Sequence, residues 1–300
     1  MAFKNAIKNL IAHFGIVWSV LLYVIITTAL LVGLSLPFVL PIVDAFADAG
    51  VFQGISDSFS TLFNDGGWNG FWDGLYGVYV DVVTVFQSND RMVSLVMMFM
   101  IFILVVAFRF FFGLYEVPLA TVLDGRMSCN AHYGLGGKFF STLSVSVRYS
   151  LAKMPITIAF DAAMLATIYG FIVWLGLSVA LPFVIILMIW LFQSFKNAIL
   201  ACWAPAVADG VGVIKGFGRS VEICFKRFGS IFSTYMIMQL LMIDFGVFIT
   251  LFTLGVGLII AVPLIIACFS YLDITEYYNK TGKRYYIDNA VFTPPTENVL

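Results

Sequence analysis

The stretch Ile16 to Ile42 runs for 27 residues without a charged side chain. That exceeds the ~18 apolar residues that suffice to suggest a membrane span. Comparable runs recur: about Met92 to Phe112, Met154 to Leu175, Leu181 to Trp203, Ser230 to Leu254 and Leu258 to Tyr271. Only 11% of the 300 residues are charged and 61% are hydrophobic, against about 25% charged in ordinary soluble domains. Mean hydropathy is +1.00. The runs are continuous, not alternating, and a chain in lipid must satisfy its own backbone hydrogen bonds. The fold class expected is therefore all-α integral membrane, with six transmembrane helices.

A secretory signal is the rival for the first run, and Ala45-Phe46-Ala47 resembles a cleavage site. Signal cores are only about 7–15 residues long, so the run is taken as a span. Orientation follows from charge. Lys4 and Lys8 precede the first run, and no Lys or Arg follows before Arg91, whereas Asp44, Asp48, Asp57, Asp65, Asp73, Asp81 and Asp90 fall in residues 44–91. Basic residues mark cytoplasmic segments. Residues 44–91 are thus expected outside, both termini inside, and the segment 275–300 as a cytoplasmic tail that ends Thr293-Pro294-Pro295-Thr296. Cys129, Cys202, Cys224 and Cys268 fall on the inner side, consistent with free thiols. Cys129 and His132 have a C-x-x-H spacing, but no second ligand pair exists, so no metal and no cofactor are expected.

Between the fourth and fifth runs, Phe217, Val221, Cys224, Phe225 and Phe228 share one helical face, with Lys215, Arg219, Glu222 and Lys226 opposite. Such a helix suits the headgroup layer. Lys4, Lys8, Lys215, Arg219, Lys226 and Arg227 are the expected headgroup contacts. Phe3, Ala6, Ile7, Leu10, Ile11 and Phe14 form a similar face before the first span. A weaker one, Phe140, Leu143, Val147 and Leu151, precedes the third. Ala6 to Gly15 aligns with Ser220 to Gly229, and Val117-Pro118 through Asp124-Gly125 aligns with Ala204-Pro205 through Asp209-Gly210. The expectation is three hairpins, each preceded by an interfacial helix, in units of about 1–112, 113–203 and 204–274 within one membrane domain.

The residues Ala204, Pro205, Ala208, Asp209, Ser220, Phe228 and Gly229 carry a resemblance to uncharacterised prokaryotic six-span membrane proteins, and to the related membrane domain of some glycerophosphodiester phosphodiesterases. It covers about forty residues at the motif and most of the chain in coarse topology. The long 44–91 segment departs from that pattern, and no phosphodiesterase domain is present. The resemblance implies a membrane-embedded module at the lipid interface of a prokaryotic plasma membrane.

In residues 44–91, Trp68, Phe71, Trp72, Leu75, Tyr76 and Tyr79 recur at helical spacing, as do Phe52, Ile55, Phe59 and Phe63. Interfacial anchoring suits such stripes; a lid or a protein-docking surface is the alternative. Asp161, Asp244 and Arg109 lie within spans, where charge is costly and therefore a functional candidate. An Asp161–Arg109 pair would hold hairpins together. Proton or cation coupling by Asp161 and Asp244 is the transport alternative, but the spans are otherwise almost wholly apolar. No G-x-S-x-G, H-E-x-x-H or P-loop pattern occurs, so an enzyme is not expected. Membrane lipids are the expected partners, in a non-enzymatic role of lipid interaction or membrane organisation; nucleic acid is not expected.

Overall fold

A computed structural model describes residues 2–63, 67–176, 180–287 and 291–292. Asp65, the turn at Leu177-Ser178-Val179 and the Thr293–Thr296 stretch lie outside the described residues. Among the described residues 89% are helical. Its helices are α1 (Ala2–Ala12), α2 (Gly15–Asp48), α3 (Val51–Phe63), α4 (Gly67–Ser88), α5 (Asp90–Phe99), a π-helical segment (Met100–Ala107), α6 (Phe108–Leu114), α7 (Glu116–Cys129), α8 (Leu135–Leu175), α9 (Leu181–Leu200), α10 (Trp203–Ala208), α11 (Val213–Lys226), α12 (Phe228–Phe252) and α13 (Leu258–Thr281). Tyr286–Ile287 and Val291–Phe292 pair as two short antiparallel strands. Among the described residues, six helical stretches are long and apolar enough to cross a membrane. The protein is a multi-pass, all-α membrane protein.

The chain divides into two compact units, residues 28–109 and residues 1–27 with 110–300. In the first of these, α3 and α4 pack closely. A Cβ on Gly74 would collide with Ser58, and one on Gly54 would meet Val78 at 2.9 Å, so the absence of side chains sets the helix separation. Phe71 is buried there, whereas Trp68, Trp72, Tyr76 and Tyr79 are exposed along one edge. Within the same unit Phe38 of α2 meets Phe102 of the π segment, ring centroids 6.1 Å apart. The π segment is wholly apolar, and at its end the Phe108 N–H reaches back to the Ile103 carbonyl.

The larger unit contains the principal core. There α1 packs on α13, α7 on α8, α10 and α13, and α11 on α8, α9, α10 and α12. Trp203 is central and fully buried. Its ring centroid lies 4.9 Å from that of Tyr149 and 4.9 Å from that of Phe217, and its indole N–H donates to the Val213 carbonyl at 2.7 Å. The indole thus satisfies its one polar atom while burying a large apolar area. Gly113 allows a second close approach: a Cβ there would lie 2.5 Å from Ser150 Oγ.

Two boundaries differ from the sequence expectation. The amphipathic stretch Phe140 to Leu151 and the span from Met154 form one 41-residue helix, α8, with Pro155 inside it. Proline forfeits one backbone bond, and membrane helices tolerate that loss where neighbours meet the freed groups. At the other end, α13 does not stop near Tyr271 but continues to Thr281, and Leu272, Ile274, Thr275, Glu276, Tyr277 and Tyr278 are buried. The first part of the expected tail is therefore core structure, because its tyrosines find partners on α7 and α10.

Candidate functional site

Polar chemistry in the larger unit collects around α13. Tyr277 and Tyr278 are adjacent in sequence and diverge: Tyr277 donates to Asp209 at 2.8 Å, and Tyr278 donates to Asp124. Asp209 caps α10 and also accepts from Lys283. Tyr235 of α12 donates to Asp273. On α7, Glu116 accepts from Tyr149 at 2.7 Å and from Lys153 at 2.6 Å. Each of these four carboxylates holds a tyrosine hydroxyl, and two also hold a lysine. Glu116, Asp124 and Asp273 are half-buried and Asp209 exposed, and their bonds link α7, α8, α10, α12 and α13.

Two serines serve the helix ends. Ser220 of α11 donates to the Ile199 carbonyl at 2.6 Å and accepts from the Cys202 N–H at 3.1 Å. It therefore closes the break between α9 and α10, where terminal carbonyls lack intrahelical partners. Ser150 of α8 donates to the Phe110 carbonyl at 2.7 Å.

A separate polar group lies where α1, α7 and α13 meet. The Arg126 guanidinium reaches toward the His13 carbonyl, 3.5 Å away, and is close enough to Tyr271 to act on its hydroxyl. His13 meets His132 edge to face, ring centroids 6.1 Å apart. Burial, and then the charges of Arg126 and His132, hold the His13 imidazole below its ordinary pKa. Burial of Cys224 on α11 pushes its thiol up to about 11. Among the described residues, no group of three or more His, Cys, Asp or Glu is placed to hold a metal ion.

The residues singled out in the sequence fall at several places. Lys4, Lys8, Lys215, Lys226 and Arg227 are exposed. Lys226 pairs with Glu222 at 2.8 Å. Arg219 is half-buried, its guanidinium 5.5 Å from the centre of the Tyr277 ring, so its charge bears on the protein. Pro205 and Ser220 are buried, Phe228 is half-buried against Phe195 and Phe232, and Gly229 is exposed. Asp161 accepts from Lys196 at 2.8 Å, tying α8 to α9. Asp244 is exposed on α12, and Arg109 is half-buried at the end of the smaller unit. An open apolar groove between α12 and α13 is lined by Met242, Gly246, Thr250, Leu251, Ile265 and Phe269, among others.

No family model, curated protein or solved structure matches the chain.

The apolar face of α11 differs from its expected setting. Gly216, Ser220, Ile223 and Cys224 are buried, and Phe217 packs on Trp203. The expected lipid-facing stripe is thus largely taken up by protein contacts. What remains outward is Ile214, 82% exposed, and Phe225, 60% exposed. They are eleven residues apart and so on one side of the helix, with Lys215 and Lys226 beside them. Sequence inspection missed Glu116, Asp273, Tyr277 and Tyr278; the signal was the Asp-Ile-Thr-Glu-Tyr-Tyr run at 273–278, too polar for a span and too aromatic for a solvated tail.

Proposed function

We propose that this protein is a non-enzymatic membrane protein that engages lipid at the membrane surface and organises it locally, with both termini on the cytoplasmic side of a prokaryotic plasma membrane. The observation that carries this is α11. One side is buried in the protein, while Ile214 and Phe225 stand exposed, with the exposed cations Lys215 and Lys226 together on one flank of them. Exposed apolar side chains flanked by cations suit the boundary between headgroups and acyl chains. The same pairing recurs on α1, where Ile11 and Phe14 are exposed beside Lys4 and Lys8. Ser220 and Ser150 make comparable bonds to the carbonyls of preceding spans, and Asp209 and Asp124 take adjacent tyrosines. Both parallels support the three-unit organisation and the related membrane-domain architecture. The groove between α12 and α13 offers an acyl chain an apolar seat.

The test is lipid selectivity of the full chain in mixed phosphatidylcholine and phosphatidylglycerol discs, read by mass spectrometry of co-purified lipid. Lys215→Glu with Arg227→Glu changes two exposed cations and leaves the core intact. Each cation near an anionic surface contributes about 1 kcal/mol, so the double variant loses up to ~30-fold of its phosphatidylglycerol preference. Unchanged selectivity in a folded double variant refutes the proposal.

A further inference from the structure

Asn9 is fully buried, and among the described residues both heteroatoms of its carboxamide lack a hydrogen-bond partner. The same holds for the Thr275 hydroxyl and Nε of Arg126, and the Tyr271 hydroxyl has the Arg126 guanidinium near it without a well-formed hydrogen bond. Buried polar atoms are nearly always satisfied, and each one left alone costs about 1–3 kcal/mol. These atoms come from three helices, yet they belong together. Asn5 donates to Tyr285 at 2.7 Å, and Tyr285 in turn donates to Asn279 at 3.1 Å, so Asn5 lies beside Asn279. Two turns along α1, His13 shares Arg126 with Tyr271. Those two anchors fix an antiparallel register for α1 on α13, and one turn inward from either anchor Asn9 faces Thr275.

The group is rich in donors and poor in acceptors. It contains a guanidinium, two hydroxyls, a carboxamide and an imidazole. The carboxylates nearest in sequence are committed elsewhere: Asp124 to Tyr278, Asp273 to Tyr235, and Glu276 to Lys280 at 3.9 Å. His132 is exposed and Arg126 half-buried, so the cluster opens to the surface on that side, while Asn9 and Thr275 form its closed end.

We propose that Arg126, Tyr271, Thr275, Asn9 and His13 form a binding site for a phosphate-type oxyanion, either free phosphate or the phosphate of a lipid headgroup. An arginine fork takes two oxygens of such an anion in charge-assisted bonds. A carboxylate would then be used up, whereas a phosphate presents further oxygens to Tyr271 and to the Asn9–Thr275 layer about 6 Å deeper, one helical turn on. The site does not depend on the exposed cations of α11. Lys215→Glu with Arg227→Glu therefore leaves it intact, which separates its failure from failure of the interfacial reading.

The experiment uses the full chain, delipidated in nonionic detergent, with inorganic phosphate titrated against chloride at equal ionic strength. Binding is read by calorimetry and by the thermal midpoint. A second arm adds phosphatidylglycerol, or an uncharged glycolipid that has no phosphate, to the delipidated protein in the same detergent. Phosphate binds the wild type, Arg126→Gln weakens it at least tenfold, and Tyr271→Phe, which keeps the ring and so the packing, weakens it at least threefold. Stabilisation by free phosphate in detergent identifies a soluble anion. Stabilisation only by phosphatidylglycerol, lost in the same variants, identifies a headgroup. Two results overturn the proposal: neither source binds, or binding persists undiminished in Tyr271→Phe and Arg126→Gln. The first would leave water as the occupant, and Asn9→Leu would then stabilise the protein.

Discussion

Ser220→Ala tests the account of the α9–α10 break most directly. The hydroxyl is buried, donates to the Ile199 carbonyl at 2.6 Å and accepts the Cys202 N–H at 3.1 Å. Alanine fills nearly the same volume, so packing loss is small and the effect is polar. A net hydrogen bond contributes about 0.5–1.5 kcal/mol, and a buried group stranded by its loss costs about 1–3 kcal/mol. Together they give a destabilisation of about 2–4 kcal/mol, equivalent to roughly 30- to 1,000-fold in the unfolding equilibrium. Ser150→Ala is the internal control: that hydroxyl makes one such bond, to Phe110, and its removal costs about 1 kcal/mol. The assay is reversible denaturant unfolding of both variants in the same mixed micelles, followed by tryptophan fluorescence. A Ser220→Ala cost below 0.5 kcal/mol, or one no larger than that of Ser150→Ala, would refute the reasoning, since the orphaned N–H is what separates them.

Other outcomes follow from the same geometry. Lys196→Met removes the ion pair with Asp161 and destabilises by up to about 3 kcal/mol, while Lys196→Met with Asp161→Leu recovers most of that loss; unfolding of the single and double variants reads both. His13 has a depressed pKa in the folded state, so its stabilising contribution is present above its ordinary pKa and is lost as pH falls through the lower, folded value. Acid unfolding therefore shifts to lower pH in His13→Gln, and an unchanged acid limb would count against the buried imidazole. Cys129 is exposed while Cys202, Cys224 and Cys268 are buried. Maleimide modifies one thiol in the native protein and four after denaturation, and a membrane-impermeant reagent on inverted vesicles tests the cytoplasmic assignment of Cys129.

Five of the six spans were legible because their apolar runs exceed ~18 residues and carry almost no charge, a property of each segment alone, whereas the sixth, Leu258 to Tyr271, was read too short. The partners of Tyr277 and Tyr278 were not legible, since Asp209 and Asp124 lie 68 and 154 residues away and no local window contains both. The continuation of α13 past Tyr271 was missed for the same reason: Asp273 and Glu276 look soluble until their settings are known. On α11, periodicity identified an apolar face, but lipid and protein interior are equally apolar. Only the packing of Phe217 on Trp203 separates them. The Asp161–Lys196 pair was not legible either, since the two residues lie 35 apart on different helices.

Because α1 rests on α13, it waits on a partner helix that is synthesised much later. Asn9 and Thr275 are 266 residues apart in the chain, which at ~5–20 residues per second means roughly 15 to 50 s of synthesis. Until α13 is made, the α1 face bearing Ala6, Asn9 and Leu10 lacks the helix it packs on, and Asp124 and Asp209 lack their tyrosines. A nascent chain halted before α13 would present these surfaces together. Packing of α13 on α1, α7 and α10 thus closes surfaces that a shorter nascent chain leaves open.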